Sequence, residues 1–324
     1  MSKVIRLYEH GGPEVLRYED VEVPAPGPDE VQVRHTAIGL NYIDVYDRSG
    51  LYPAELPAVL GREGAGVITA VGRKVRGLKV GTRVAYVHSV AGAYSELRNL
   101  PAARVVPLPK GISDEVAAAT MLKGLTAQFL LRRAVRIERG DLILVHAAAG
   151  GVGLILCQWA RALGATVIGV VGSEAKAVLA RKHGCRHVLI GGRDELAPAV
   201  KKLTKGRGVR VVYDSVGKDT FMASLDCLAP RGLMISYGNA SGPPPAISPL
   251  ELSRRGSLYL TRPSLFTYIA TRQELEAMAR DLFRAIQSKK VRIRVGQSYP
   301  LAAAAQAHRD LESRRTTGST VLVP

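Results

Sequence analysis

Residues 148–153 read AAGGVG, set between the apolar run LILVHA and the helical segment VGLILCQWARALG. Against the dinucleotide fingerprint G-x-G-x-x-G, Ala148 replaces the first glycine. Gly150 still lets the backbone approach a diphosphate, and Gly153 lets the helix pack close to its strand. The turn opens a helix, whose N-terminus favours negative charge. Plain packing of helix on strand is the competing explanation. The strand before the turn and the second strand, TVIGVV, after it favour phosphate, with Ala149, Gly150, Gly151 and Val152 as contacts. NAD sites place an acid at the end of that second strand to receive the ribose 2′-hydroxyl, whereas here Gly172 and Ser173 stand there, with Lys176 one helical turn on. A hydroxyl and a cation suit a 2′-phosphate, so NADPH is the expected cofactor, although Glu174 is an acidic neighbour.

A second cluster is NYIDVYDRSGLYP, which gathers Asn41, Tyr42, Asp44, Tyr46 and Tyr52. A nicotinamide carries its own reducing equivalents, so the protein has to position it and steady the oxygen that becomes electron-rich. Neutral amide and phenol donors suffice for that, and each tyrosine also suits ordinary packing with a satisfied hydroxyl. Other chemistries find less support. Asp214 in VVYDSVG reads as the cap of a turn after its strand, and no Ser-His-Asp order stands out for hydrolysis. Of the seven histidines only His183 and His187 stand at ligand spacing, and they read as a helix end and a strand start. Cys157, Cys185 and Cys227 lack C-x-x-C spacing and read as core thiols in a reducing compartment.

At 324 residues and 47% hydrophobic content, two domains with real cores are expected. No apolar run approaches the roughly 20 residues that span a bilayer, and MSKVIRLYEH lacks a secretory h-region, so a soluble cytoplasmic protein is expected. Net charge of +17 favours anionic partners. Nucleic acid is one such partner and a phosphorylated cofactor another. The basic residues are dispersed, aromatics are only 5%, and no RRM, KH or zinc-knuckle pattern appears, which leaves nucleic-acid binding as the reading from another class.

These residues need elements to hold them. Alternation in KVIRLY, EVQVRHTAI, GAGVITAVG and TRVAYVH predicts half-buried strands broken by turns. From Ser113, SDEVAAATMLKGLTAQFLLRRAV predicts one long helix with acids in its first turn. Strands at LILVHA, TVIGVV, HVLI, VRVVYDS, LMISYG and SLYL then alternate with helices at VGLILCQWARALG, SEAKAVLARKHG, ELAPAVKKLTKG and DTFMASLDCLAP, the pattern of a doubly wound parallel sheet. Leu275, Met278, Leu282, Phe283 and Ile286 mark an amphipathic helix in TRQELEAMARDLFRAIQSKK. The tail adds IRVGQSYPL, a helix AAAQAHRDLES, and a strand STVLVP that returns to the N-terminal domain.

GREGAGVITAVGRKV at 61–75 resembles the G-H-E-x-x-G-x-V-x-x-V-G-x-x-V signature of the medium-chain dehydrogenase/reductase superfamily. More narrowly, HGGPEVL, AIGLNYIDVYDRSGLYP, LKGLTAQFLL, HAAAGGVG, VVYDSVG, RGLMISYGN, SLYLTRPSL and LESRRTTGS resemble the zinc-independent NADPH:quinone oxidoreductases related to zeta-crystallin, from end to end. The resemblance implies a GroES-like β-rich catalytic domain (1–123 and 264–324), a Rossmann NADPH-binding domain (124–263), an active site in the cleft between them and a homodimer. It implies quinone reduction by Asn41 and Tyr46, hydrogen-bonded to cofactor or quinone oxygen, with Tyr52 shaping the pocket. It further implies that Thr126, Ser215, Tyr237, Gly238, Leu260, Arg262 and Pro263 contact the cofactor's ribose and nicotinamide side, and that Arg314 reaches toward it. Reduction of the C=C bond of enals, enones or enoyl thioesters is the alternative with the same cofactor. Two departures matter. Zinc members have histidine at Arg62 and cysteine near Asn41, and a guanidinium and an amide cannot build a zinc site, so metal-independence is expected. Relatives often have a tyrosine where Gly191 stands, which leaves NADPH selection to Ser173, Lys176 and Arg193.

Overall fold

The alternating segments of the first hundred residues form β1 (Ser2–Leu7), β2 (Leu16–Val21), β3 (Glu30–Leu40), β4 (Ala58–Val59), β5 (Glu63–Val71), β6 (Arg83–Val87), β7 (Leu97–Pro101) and β8 (Val105–Pro107). Among them lies a helix, α1 (Tyr42–Ser49), where the sequence pattern predicts none. A computed structural model describes residues 1–324 except the side chain of Arg193. The expected long helix after Ser113 is two helices, α2 (Asp114–Ala118) and α3 (Met121–Phe129), followed by a wide π turn over Leu130–Ala134. The interruption has a physical reason, since backbone groups left over there find partners outside the helix. Ser319 Oγ donates to Ala119 O at 2.9 Å, and the Leu122 amide donates to the Glu63 carboxylate at 2.5 Å.

The middle of the chain alternates: β9 (Leu142–Val145), α4 (Gly151–Ala162), β10 (Thr166–Val171), α5 (Glu174–Lys182), β11 (His187–Ile190), α6 (Arg193–Leu203), β12 (Val209–Asp214), α7 (Phe221–Asp226), β13 (Leu228–Ser236), α8 (Leu250–Arg254), β14 (Tyr259–Thr261) and α9 (Leu265–Tyr268). The segment DTFMASLDCLAP is helical only over α7, and its last residues already belong to β13. After α10 (Arg272–Gln287) come β15 (Val295–Pro300), α11 (Ala304–Glu312) and β16 (Ser319–Val323). No helix among the described residues is long and apolar enough to cross a membrane.

Two units result. The first comprises Met1–Leu125, Tyr268–Ser288 and Ile293–Pro324. Its sheets run β2-β1-β4 and β15-β16-β3-β5-β6-β8, with β7 paired to β3, and the final strand β16 lies antiparallel to β3. The second unit, Thr126–Thr267 with Lys289–Arg292, holds one parallel sheet in the order β11-β10-β9-β12-β13-β14. Counted from β9, that is the 3-2-1-4-5-6 order of the Rossmann fold. Its inner strands β9 and β10 are near-continuous apolar runs that are largely buried, the pattern of a parallel sheet covered on both faces.

The first unit's core contains buried polar chains among Ile38, Leu40, Leu60 and Leu100. His35 occupies an inward position of β3. Its Nδ1 donates to Ser95 O at 2.6 Å and its Nε2 accepts from the Tyr86 hydroxyl at 2.8 Å, so the ring is neutral, and burial pulls its pKa down to about 4. A second chain runs from the Arg48 guanidinium to His308 Nδ1 (3.0 Å), from His308 Nε2 to the Tyr94 oxygen (3.0 Å), and from the Tyr94 hydroxyl to Asp44 Oδ2 (3.0 Å). Burial and then the charge of Arg48 lower His308 to about 3. Burial, reinforced by Asp47, raises Asp44 to about 7.

The signs give a stability profile. A histidine with a depressed native pKa stabilises the fold at neutral pH and loses that contribution as pH falls from its unfolded value toward the native one, by roughly 3 kcal/mol for each of His35 and His308 at about pH 4. Asp44, raised in the native state, contributes below its unfolded pKa and loses that contribution as pH rises through about 7. Urea unfolding across this range is expected to show stability falling as pH drops below about 6.5, with Asp44→Asn steepening that acid limb, because the Asp44 loss between its unfolded value and about 7 partly offsets the histidines there. A profile unchanged by that substitution overturns the assignment.

Candidate active site

In the second unit, chain progression along the sheet reverses between β9 and β12, the place where open α/β sheets take ligands. The glycine turn sits there. The chain leaves β9 through Ala147, which adopts φ 48°, and Gly150 then caps α4, its own amide donating to Ala147 O at 2.8 Å. No side chain caps α4, so the amides of its first turn, Gly151 and Val152 included, are open to an anion. A Cβ on Gly153 would stand 2.3 Å from Ala147 O, which forces glycine there, while one on Gly150 would stand at 3.2 Å.

The other candidates of this unit line the C-terminal ends of the same strands. Gly172, past the end of β10, is exposed with open space around it. Ser173 caps α5, its Oγ accepting from the Lys176 amide at 3.4 Å, and Glu174 is engaged by Arg181 at 3.0 Å. Gly191 follows β11 at φ 71° and also faces open space. The side chain of Arg193 lies outside the described residues. After β12 and β13, Ser215 hydrogen-bonds the Tyr237 phenol, whose pKa burial raises, and a Cβ on Gly238 would meet Ser215 O at 2.6 Å. Leu260 lies in β14, with Arg262 and Pro263 just beyond it. Thr126 is buried in α3.

Asp214 is the turn cap that the sequence implies. Its Oδ1 accepts from the amides of Val216 (2.7 Å) and Gly217 (3.1 Å), and its Oδ2 from the hydroxyls of Thr220 (2.7 Å) and Ser224 (3.0 Å). Ser224 also meets His146 Nε2 at 2.8 Å, but Ser224, His146 and Asp214 are all sealed in the interior, where no substrate reaches them.

In the first unit, Asn41 caps α1, and Tyr46 on that helix meets Tyr52 just beyond it. The rings of Tyr46 and Tyr52 meet edge-on at 5.1 Å, Tyr42 joins at 5.9 Å from Tyr46, and the Tyr52 amide donates to Tyr46 O at 3.2 Å. Burial raises the Tyr42 phenol, and the charge of Arg314, itself exposed, opposes that rise. Asn41 caps α1, with its backbone amide on Asp44 Oδ2 at 2.9 Å. Its side-chain nitrogen donates to Glu63 Oε1 at 2.8 Å and, more weakly, to Gly39 O at 3.4 Å. Both amide hydrogens are thereby engaged, so Asn41 can serve a ligand only through its oxygen.

Sequence reasoning missed the groups that hold this amide. Glu63, fully buried, accepts on Oε1 from Lys123 Nζ at 2.8 Å as well as from Asn41. It also missed the clasp of Arg62 on buried Asp47, two parallel bonds of 3.0 and 2.9 Å. A lone lysine inside the apolar run TMLKGL, and a glutamate opening the apolar strand EGAGVITAV, were the available signals.

A Rossmann sheet with an open glycine turn at its switch point, in a chain whose two ends build a second, β-rich unit, defines the class of medium-chain dehydrogenases and reductases. Residues 151–284 match the family described as zinc-binding dehydrogenase, and residues 27–110 match the alcohol dehydrogenase GroES-like domain. The quinone oxidoreductase of Pseudomonas aeruginosa is 55% identical over 100% of both chains, and quinone oxidoreductase 1 of Escherichia coli 49% identical over 100% of both. Among solved structures, the Pseudomonas syringae quinone oxidoreductase superposes with a TM-score of 0.98 at 51% identity over 100% of both chains. The Escherichia coli quinone oxidoreductase complexed with NADPH does so with 0.97 at 50% identity, over 99% of this chain and 100% of that one. The chain belongs to the quinone oxidoreductase family of the medium-chain dehydrogenase/reductase superfamily.

The zinc of the first family description does not fit these residues. Arg62 carries a cation committed to Asp47, Asn41 offers no thiolate, and among the described residues no three His, Cys, Asp or Glu side chains group to hold a metal.

The buried ion pair makes a prediction. Lys123→Met leaves the Glu63 charge in the interior without its cation and is expected to cost about 3–5 kcal/mol. Adding Glu63→Gln should recover most of that loss in urea unfolding. Additive losses in the double variant contradict the coupling.

Proposed function

We propose that this chain is an NADPH-dependent quinone oxidoreductase. The observation that carries the reading is the uncapped α4 behind a turn where only glycine fits at residue 153, at the switch point of the parallel sheet. When bound, NADPH supplies the hydride equivalent. The amides of Gly151 and Val152, with the backbone of Ala149 and Gly150, hold its diphosphate. Gly172 leaves room for a 2′-phosphate, which Ser173 and Lys176 receive, while Arg181 offsets the nearby Glu174 charge. Gly191 leaves the adenine side open. Thr126, Ser215, Tyr237, Gly238, Leu260, Arg262 and Pro263 support the ribose and nicotinamide side, and Arg314 adds a cation.

Asn41, presenting its oxygen, accepts from a cofactor hydroxyl. The donor to the acceptor's oxygen is then the Tyr46 phenol, and Tyr52, edge-on to it, fixes its ring. The C=C reductase alternative uses the same groups but is not favoured, because the relatives at 49–55% identity are quinone oxidoreductases. We place the enzyme in the cytoplasm, a reading that its three free thiols support.

We further propose a homodimer joined through β14. That strand ends the sheet, and Tyr259 and Leu250 on and near it are 62% and 61% exposed. An open, apolar strand edge invites pairing with a second copy.

Purified protein is expected to consume NADPH with a benzoquinone or naphthoquinone acceptor and to prefer NADPH to NADH. Lys176→Ala should weaken NADPH about tenfold and leave NADH unchanged. Intact NADPH binding without turnover on any quinone sinks the substrate assignment. In sedimentation, the wild type should be dimeric and Tyr259→Glu monomeric at low concentration. A dimer indifferent to that substitution rules out the β14 interface.

A further inference from the structure

A second concave site lies in the Rossmann unit, at the opposite end of the sheet from the glycine turn. It is an open depression of about 250 Å³ where the chain enters β9, β12 and β13, lined by Asp141, Arg207, Gly208, Arg210, Pro230 and Arg231 among others. That volume is about eight times a water's share of the liquid, room for a small polyanion. The length of β9, four residues at about 3.3 Å each, separates it from the turn.

Three guanidinia face one carboxylate there. Arg210 is spent on Asp141, with a further bond to Arg136 O at 3.3 Å, and Asp141 also receives the Glu138 amide at 2.8 Å. Arg207 uses only its Nε, on Thr204 O at 3.3 Å. The Arg231 side chain has no partner among the described residues. Two planar forks are therefore available, each matched to phosphate oxygens.

The backbone supplies an independent observation. Pairing of β12 with β13 passes from Val209↔Leu228 to Val211↔Leu233, so β13 carries extra residues that bulge into the wall of the depression. Arg231, in that bulge, adopts φ 60°, a left-handed conformation that glycine takes without strain and arginine does not. Its neighbour Gly232 has no such constraint on φ. A strained residue whose side chain is a cation at the rim of a depression points to a function for that cation.

We propose that this depression binds a small phosphate-bearing anion, held by Arg207 and Arg231, at a site separate from the one assigned to the cofactor. The two guanidinia close on it from the β12 and β13 sides, and Arg210 with Asp141 fixes the floor between them.

Calorimetric titration of the full chain at low ionic strength tests this, with pyrophosphate as one titrant and a sugar phosphate as another, in the presence and absence of NADPH. Submillimolar binding that persists with NADPH supports the site; the tighter titrant tells a free diphosphate from an organic phosphate. Arg231→Gly and Arg207→Gln should each weaken it about tenfold and leave NADPH affinity and quinone turnover unchanged. Arg231→Gly should also raise the melting temperature, by relieving the backbone, which separates lost binding from lost folding. Binding that both variants retain, or no binding of either titrant below about 10 mM where a guanidinium pair should already hold a dianion, overturns the proposal whatever the quinone assay shows.

Discussion

A carboxylate sealed from water must be answered by donors, and Glu63 is answered by three: the Lys123 ammonium, the Asn41 amide and the Leu122 backbone. Two of them come from α3 and one from the N-cap of α1, so one buried charge ties β5 to the N-terminus of α1 and to the start of α3. Removing water makes these bonds strong and also makes any vacancy among them expensive. The geometry of α1 follows, because its cap cannot turn without surrendering the Glu63 contact. With α1 fixed, the tyrosines it carries are fixed too. The interrupted helix α2–α3 belongs to the same constraint: Leu122 can leave the helical ladder because Glu63 takes its hydrogen.

In the second unit the corresponding constraint is steric rather than electrostatic. Gly153 and Ala147 O lie so close that no side chain fits, and β10 contributes Gly169, where a Cβ would stand 2.9 Å from that of Ala148. The replacement of the first fingerprint glycine by Ala148 is tolerated because the methyl is accommodated by that glycine on the next strand. Thus the motif's missing glycine is displaced onto β10. The turn keeps its tight approach, and the amides of α4 keep their exposure.

The parallel sheet, its order of helices and strands, and the glycine turn were legible because each has a local signature: apolar runs of strand length, Gly150 and Gly153 at fixed spacing, and Ser173 capping the next helix. Helix α1 was not, and the reason is specific. Its buried residues are Asp44, Asp47 and Arg48 together with Val45 and Tyr46, so charged side chains occupy most of the positions where a buried helix face is expected to be apolar. Those charged residues are buried because partners distant in sequence await them: Tyr94, Arg62, and Glu312 with His308. Pairings over such separations leave no trace in a local pattern. The same holds for Asn41, whose residue type marked it as a candidate but whose orientation depends on Glu63 and Lys123. The break after Ala118 was hidden for a like reason, since alanine and leucine there favour a continuous helix and only tertiary partners override them.

Around α1 the buried charges are consumed internally. Asp47 closes on Arg62, Arg48 on Glu312 and His308, Lys123 on Glu63, and burial drives Asp44 toward its neutral form. What these pairs hold in place is a row of aromatic rings, Tyr42, Tyr46 and Tyr52. Rings and phenols suit a flat, neutral acceptor whose oxygen gains charge only as it is reduced. A fixed cation would instead bind an anionic ground state as well as the transition state, which lowers KM without speeding the chemical step. On the proposed placement of the acceptor beside these rings, pairing the ions with one another reserves the region's dipoles for the charge that develops during reaction, which favours a conjugated carbonyl over a carboxylate or phosphate.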